Sequence, residues 1–179
     1  MTKEMGELKI LITGTVGAGK TTAIAAVSDI QPLSTDVRNN DASIAKALTT
    51  VGLDYGELAL GGGEVLRIYG TPGQKRYDFM WKILVRGALG LVILIDNSRP
   101  DPLADLAVYV NGFSGFLASS ACVVGVGRME THATPHLDQF AERLDQLGVR
   151  CPVVALDVRQ RDQVVQLLDL LLVQMEADA

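Results

Sequence analysis

Short apolar runs alternate with helical stripes along most of the chain, and each run is closed by glycine, asparagine or aspartate. LKILIT (Leu8–Thr13) reads as a first strand ending at Gly14, and Thr21 to Asp29 as a short helix. The stretch from Gln31 to Thr49 is polar and irregular, with one helical turn expected over Ala42–Leu48. Tyr55–Leu60 and Glu64–Tyr69 flank Gly61-Gly62-Gly63, the pattern of a β-hairpin. Tyr77 to Arg86 reads as a helix. Leu89–Ile95 (LGLVILI) is an uninterrupted apolar strand of the kind buried on both faces. Leu103, Leu106, Val110, Phe113 and Leu117 recur at helical spacing after Pro100 and Pro102. Ala121–Val126 and Val153–Leu156 give two more strands. Helices follow them over Leu137–Leu147 and Val164–Met175, the last expected to pack on the core.

Strands alternating with helices predict an α/β fold with a mostly parallel sheet and helices on both faces. The hairpin predicts six strands with one antiparallel edge strand. Ligands of such sheets bind beyond the carboxyl ends of the strands. That is where the loops at Gly14, Gly70, Asp96, Gly127 and Asp157 are expected to converge.

The composition narrows the function. With 179 residues, 48% of them hydrophobic, the chain is expected to form one domain spanning residues 1–179, its first six residues flexible. A net charge of −5 argues against nucleic-acid binding, which needs a basic face. No run reaches the length of a membrane span, and MTKEMGE lacks the core of a signal peptide, so a cytoplasmic protein without a membrane anchor is expected. Cys122 and Cys151, beside CVVGV and CPVVAL, read as inert buried thiols. His132 and His136 flank Pro135 without a third ligand and read as the polar start of the next helix.

The chemistry is written into Gly14-Thr15-Val16-Gly17-Ala18-Gly19-Lys20-Thr21, which fits G-x-x-x-x-G-K-[ST] between a strand and a helix. Glycines let the backbone curl into a nest whose amides point at phosphate oxygens. The helix amino terminus, with Thr22 beside Thr21, adds partial positive charge. Lys20 is expected to bridge the β- and γ-phosphates, and the Thr21 hydroxyl to sit on Mg²⁺.

Together with this loop, Thr49-Thr50-Val51-Gly52-Leu53-Asp54 and Thr71-Pro72-Gly73-Gln74 resemble the switch segments of small Ras-like P-loop GTPases. The T-P-G-Q form resembles the bacterial MglA type, which acts in gliding and polarity. By that resemblance Thr50 is a metal ligand, with Thr49 its near alternative. The Gly73 amide meets the γ-phosphate, and Gln74 orients the attacking water. Gly70 stands where the family carries its aspartate, which reaches Mg²⁺ through water; its loss predicts weaker metal binding, with Asp54 or Asp96 to replace the charge. Val16 stands where glycine is favoured and predicts slow turnover. Arg38 and Arg76 are the arginines nearest the switches.

Gly127-Arg128-Met129-Glu130 aligns with the family's Asn-Lys-x-Asp. Glu130 would accept from guanine N1–H and the 2-amino group, and the Arg128 guanidinium would lie over the base. Gly127 gives up the ties that asparagine makes to the phosphate loop. The Val158 amide would meet guanine O6. The resemblance implies GTP or GDP with Mg²⁺, and switching of the Thr35–Thr50 and Gly70–Met80 loops. It further implies action through a regulatory or effector protein, such as a roadblock-type activator. Two rival expectations are a module that binds nucleotide without turnover, and an ATP-binding protein.

Overall fold

The computed structural model describes residues 7–35 and 53–178. The expected flexibility of residues 1–6, the helical turn over Ala42–Leu48, and most of the Thr35–Thr50 loop lie outside them. So do Thr49, Thr50 and Arg38.

All six expected strands form: β1 (Leu8–Gly14), β3 (Leu53–Gly61), β4 (Glu64–Gly70), β5 (Gly90–Asp96), β6 (Ala121–Gly127) and β7 (Val153–Ala155). A three-residue strand, β2 (Leu33–Thr35), is added outside β3, giving the order β2-β3-β4-β1-β5-β6-β7. Only β3 runs against its neighbours, pairing antiparallel with both β2 and β4. The antiparallel strand is therefore one place in from the edge. Nothing in Leu33-Ser34-Thr35 alone marks a strand; its ladder with β3 makes it one.

The apolar runs explain the layers. Neighbouring residues of a strand face opposite ways. Ile10 and Ile12 of β1 enter one buried cluster with Val92, Leu94 and Val123, while Leu11 enters another with Leu91, Ile93 and Val124. Helices α1 (Lys20–Val27) and α6 (Arg161–Ala177) cover the first face through Ile24, Val27, Leu167 and Leu171. The second face is covered by α2 (Asp78–Leu84), α3 (Pro102–Gly112) and α5 (Leu137–Gln146), through Trp81, Tyr109 and Phe140. Every residue of β5 is buried, as a strand roofed on both faces requires. Cys122 is buried in the second cluster and Cys151 half-buried beside it, both as free thiols. No helix among the described residues is long and apolar enough to cross a membrane.

Two local details bear on the site. The hairpin turn holds Gly61, Gly62 and Gly63 at φ of 93°, 60° and 84°, a left-handed path that favours glycine. The long stripe from Leu103 is broken at Phe113, where α3 ends and the one-turn helix α4 (Ser114–Leu117) begins. Gly112 stands at that break, with the Trp81 ring where its side chain would be.

Candidate functional site: a phosphate cradle at the strand ends

The phosphate loop takes its shape from its glycines. A Cβ on Gly14 would lie 2.2 Å from the Leu94 carbonyl oxygen, and Gly17 and Gly19 sit at φ of 83° and 100°. Ala18 N–H donates to the Thr15 carbonyl at 3.0 Å. The other amides from Val16 to Thr21 donate to nothing among the described residues, leaving a row of free donors at the start of α1. Lys20 bends back over the loop, and its Nζ donates to the Gly14 and Thr15 carbonyls, each at 2.8 Å. Burial lowers the Lys20 pKa to about 8, against the pull of the Asp54 carboxylate, which raises it.

Thr21 points the other way. Its hydroxyl donates to Asp54 Oδ2 at 2.5 Å. Asp54 on β3 pairs across the ladder with Gly70 on β4. A Cβ on Gly70 would lie 3.1 Å from Asp54 Cβ and 3.4 Å from Asp54 Oδ2. The Asp54 carboxylate thus lies, from the facing strand, against the space that Gly70 leaves open. Asp96, the other candidate, accepts from Ser98 and Arg128 at the far end of the site. Thr21 and Asp54 place a hydroxyl and a carboxylate side by side, a donor set that suits Mg²⁺.

The Thr71–Gln74 loop is fastened from below. Thr71 N–H donates to the Ile12 carbonyl at 2.9 Å, and its hydroxyl to the buried Thr13 hydroxyl at 2.6 Å. Trp81 Nε1 donates to the Pro72 carbonyl at 2.9 Å, and the Tyr109 hydroxyl to the Gly73 carbonyl at 2.6 Å. Burial, with Asp105 nearby, pushes the Tyr109 pKa up, so it stays a donor. Gly73 is drawn against the phosphate loop: its Cβ would lie 2.7 Å from both Gly14 O and Lys20 Nζ, and 2.8 Å from Val16 N. Gln74 is exposed and stands outside the cavity wall. Val16 is 60% exposed at the cavity mouth. Arg76 lies in the 3₁₀ turn Lys75–Tyr77.

At the opposite end, Arg128 adopts φ 63°, rare for a residue with a side chain. Its guanidinium reaches Asp96 Oδ2 at 3.0 Å and the Gly17 carbonyl at 3.4 Å. The tie to the phosphate loop expected to vanish with Gly127 is therefore made by the next residue. Val158 packs over Gly19, where a Cβ would lie 2.6 Å from Val158 Cγ2. Asp157, bonded to Arg159 Nη2 at 2.7 Å, is held at about pKa 2, and its N–H donates to Gln163 Oε1 at 2.6 Å. His136 caps α5 and His132 bonds Thr131; among the described residues no group of three His, Cys, Asp or Glu could hold a metal ion.

These pieces enclose one cavity of about 770 Å³. Of the expected residues, Val16, Gly17, Ala18, Gly19, Lys20, Thr21, Thr22, Gly73, Arg128, Glu130 and Val158 line it. Gly14 and Thr15 lie behind the wall and hold Lys20; Gln74 does not reach it. Sequence reasoning missed Thr13, Trp81, Tyr109 and Gln163, which act from outside every motif. Asp54 left a signal: it and Gly70 stand equally far from Gly62, so the hairpin pairs them.

No protein-family model matches the chain. Across 147 residues, 79% of its length, it is 25% identical to Ras-related protein Rab-3 of Caenorhabditis elegans, covering 62% of that protein. It is 27% identical over 93 residues to an uncharacterized protein of Methanocaldococcus jannaschii, covering 53% of it. It is 22% identical over 149 residues to GTP-binding protein ypt2 of Schizosaccharomyces pombe, covering 69%. The chain thus spans less than two thirds of the first two relatives. At 22–25% identity, the chain is similar to Ras-related and GTP-binding proteins over much of its length.

Proposed function

We propose that this chain is a guanine-nucleotide switch: it binds GTP or GDP with Mg²⁺, hydrolyses GTP slowly, and acts through a protein partner. The observation that carries the reading is the set of amides of Val16, Gly17, Gly19, Lys20 and Thr21, which donate to no described residue and are faced by Gly73. A triphosphate tail would satisfy those donors and give the Lys20 ammonium a counter-charge. Thr21 and, by family analogy, Thr50 would hold Mg²⁺, with Asp54 bonded to Thr21, and the ion would supply charge neutralisation on the phosphate oxygens. Glu130 would accept from the guanine edge, where adenine would oppose lone pair to lone pair. The Val158 amide would meet O6.

For hydrolysis Gln74 must turn inward to hold a water, which fits slow turnover and a partner that supplies the turn. Such a partner is expected to be a regulatory or effector protein, a roadblock-type activator by family analogy, within a bacterial polarity or motility system. Titration of nucleotide-free protein with GDP and ADP tests the reading, and a tenfold preference for ADP would refute the guanine assignment. The exposed position of Gln74 favours a second reading, a module that binds nucleotide without turnover. Phosphate release from GTP decides between them: equal background rates in the wild type and in Gln74→Leu leave only the module.

A further inference from the structure

We infer that Trp81 and Tyr109 are positioning residues that hold the backbone of Gly73 so that its N–H faces the terminal phosphate. This rests on the nucleotide reading of the cavity.

The argument begins with peptide planarity. In a trans peptide the carbonyl of one residue and the N–H of the next point in opposite directions. Among the described residues the cis peptide is Thr134-Pro135, so the Pro72-Gly73 bond is trans. Trp81 Nε1 holds the Pro72 carbonyl toward the core at 2.9 Å, which turns the Gly73 N–H away from it. Gly73 itself stands against the phosphate loop, where an added Cβ would lie 2.7 Å from Lys20 Nζ and 2.8 Å from Val16 N. The Tyr109 hydroxyl holds the next carbonyl, that of Gly73, at 2.6 Å. Both peptide planes flanking the Gly73 Cα are thereby tethered. The Gly73 N–H itself donates to no described group.

The two tethers share one rigid body. Trp81 is 1% exposed and stacks on Phe113 at 5.1 Å with 12° between ring planes. Tyr109 lies 5.2 Å away on α3. Neither side chain lines the nucleotide cavity, so each acts only through Gly73. On the nucleotide reading, Gly73 would face the third phosphate, which GDP does not carry. The tethers should therefore favour GTP over GDP without contributing to the grip on the base.

Trp81→Phe keeps an aromatic ring in the sandwich and removes the indole donor; Tyr109→Phe removes the hydroxyl alone. The measurement is the ratio of affinities for a non-hydrolysable GTP analogue and for GDP, with Mg²⁺ present. Both ligands report on the same folded population, so a general loss of fold cancels in the ratio. The expected result is a loss of roughly 5-fold for the triphosphate in either variant, with GDP affinity within about twofold of wild type. An unchanged ratio in Trp81→Phe overturns the inference, even if both affinities fall together. Should that variant fail to fold, Tyr109→Phe decides by the same criterion. A wild type that retains neither nucleotide would instead refute the reading of the cavity, and the inference with it.

Discussion

Lys20 is the residue at which the site's electrostatics can be read directly. Burial lowers its pKa to about 8, below the ordinary lysine value of 10.5 that the unfolded chain keeps. Below about pH 8 the ammonium is charged in both states, and the whole desolvation cost opposes folding. Between those two values the unfolded chain binds more protons than the folded one, so the stability of the nucleotide-free protein is expected to rise with pH. Urea midpoints across that window test the sign. Phosphates restore the counter-charge, so GDP binding near pH 8.5 is expected to take up protons. Heats of binding that do not vary with the ionisation enthalpy of the buffer would contradict this. Asp54 offers a second test at the same scale. Asp54→Asn is expected to weaken Mg²⁺-dependent nucleotide retention by about 10–100-fold. The exchange Asp54→Gly with Gly70→Asp should recover much of it, because the two positions face each other across the ladder. Nucleotide release followed against Mg²⁺ concentration distinguishes the three proteins.

Elements couple to the site through α3. Gly112 closes that helix where a Cβ would lie 2.5 Å from Trp81 Cζ3 and 2.8 Å from Cε3. An alanine in a helix would ordinarily stabilise by up to about 1 kcal/mol over glycine. Here the ring is wedged between Tyr109 and Phe113 and cannot yield without leaving Pro72. Gly112→Ala is therefore expected to destabilise by about 1–3 kcal/mol and to shift the emission of Trp81, the chain's single tryptophan. A blue-shifted, more stable variant would show that the indole is not wedged. This coupling was not legible in the sequence, because Gly112 and Trp81 belong to no motif and meet only through the packing of two helices. The strands were legible where a buried face forced an apolar run, as in β1 and β5. β2 was not, since three residues at an edge need only a partner's backbone. The Gly14–Thr21 loop was legible because its glycines, Lys20 and Thr21 stand at a fixed motif spacing between a strand and a helix. Arg128 was legible as a residue of the loop after β6 that lines the cavity, but its tie to Gly17 depends on a left-handed backbone that no composition announces.

Across the whole molecule, the cavity is where the ends of most strands meet. Its walls come from the loops after β1, β4, β5, β6 and β7 and from the start of β3. Among the direct bonds that join those segments are the reach of Arg128 to Gly17 and to Asp96 and that of Thr21 to Asp54. A nucleotide lying across the cavity would bridge the phosphate end to the base end, and its binding energy would add to the stability of the entire sheet. At a free GDP concentration of 100 times its dissociation constant that addition is about 2.7 kcal/mol. For a chain of this size it corresponds to a rise in melting temperature of about 5–10 °C. ADP at the same concentration is expected to give a much smaller rise, since the phosphates engage while Glu130 meets the wrong edge of the base. Arg128→Ala should narrow that gap from the GDP side: it unties the base loop from the phosphate loop and removes the ion pair at Asp96 Oδ2. Melting curves with GDP, ADP and no ligand test both statements, and equal shifts for the two purines in the wild-type protein would refute the role given to the base loop while leaving the phosphate cradle intact.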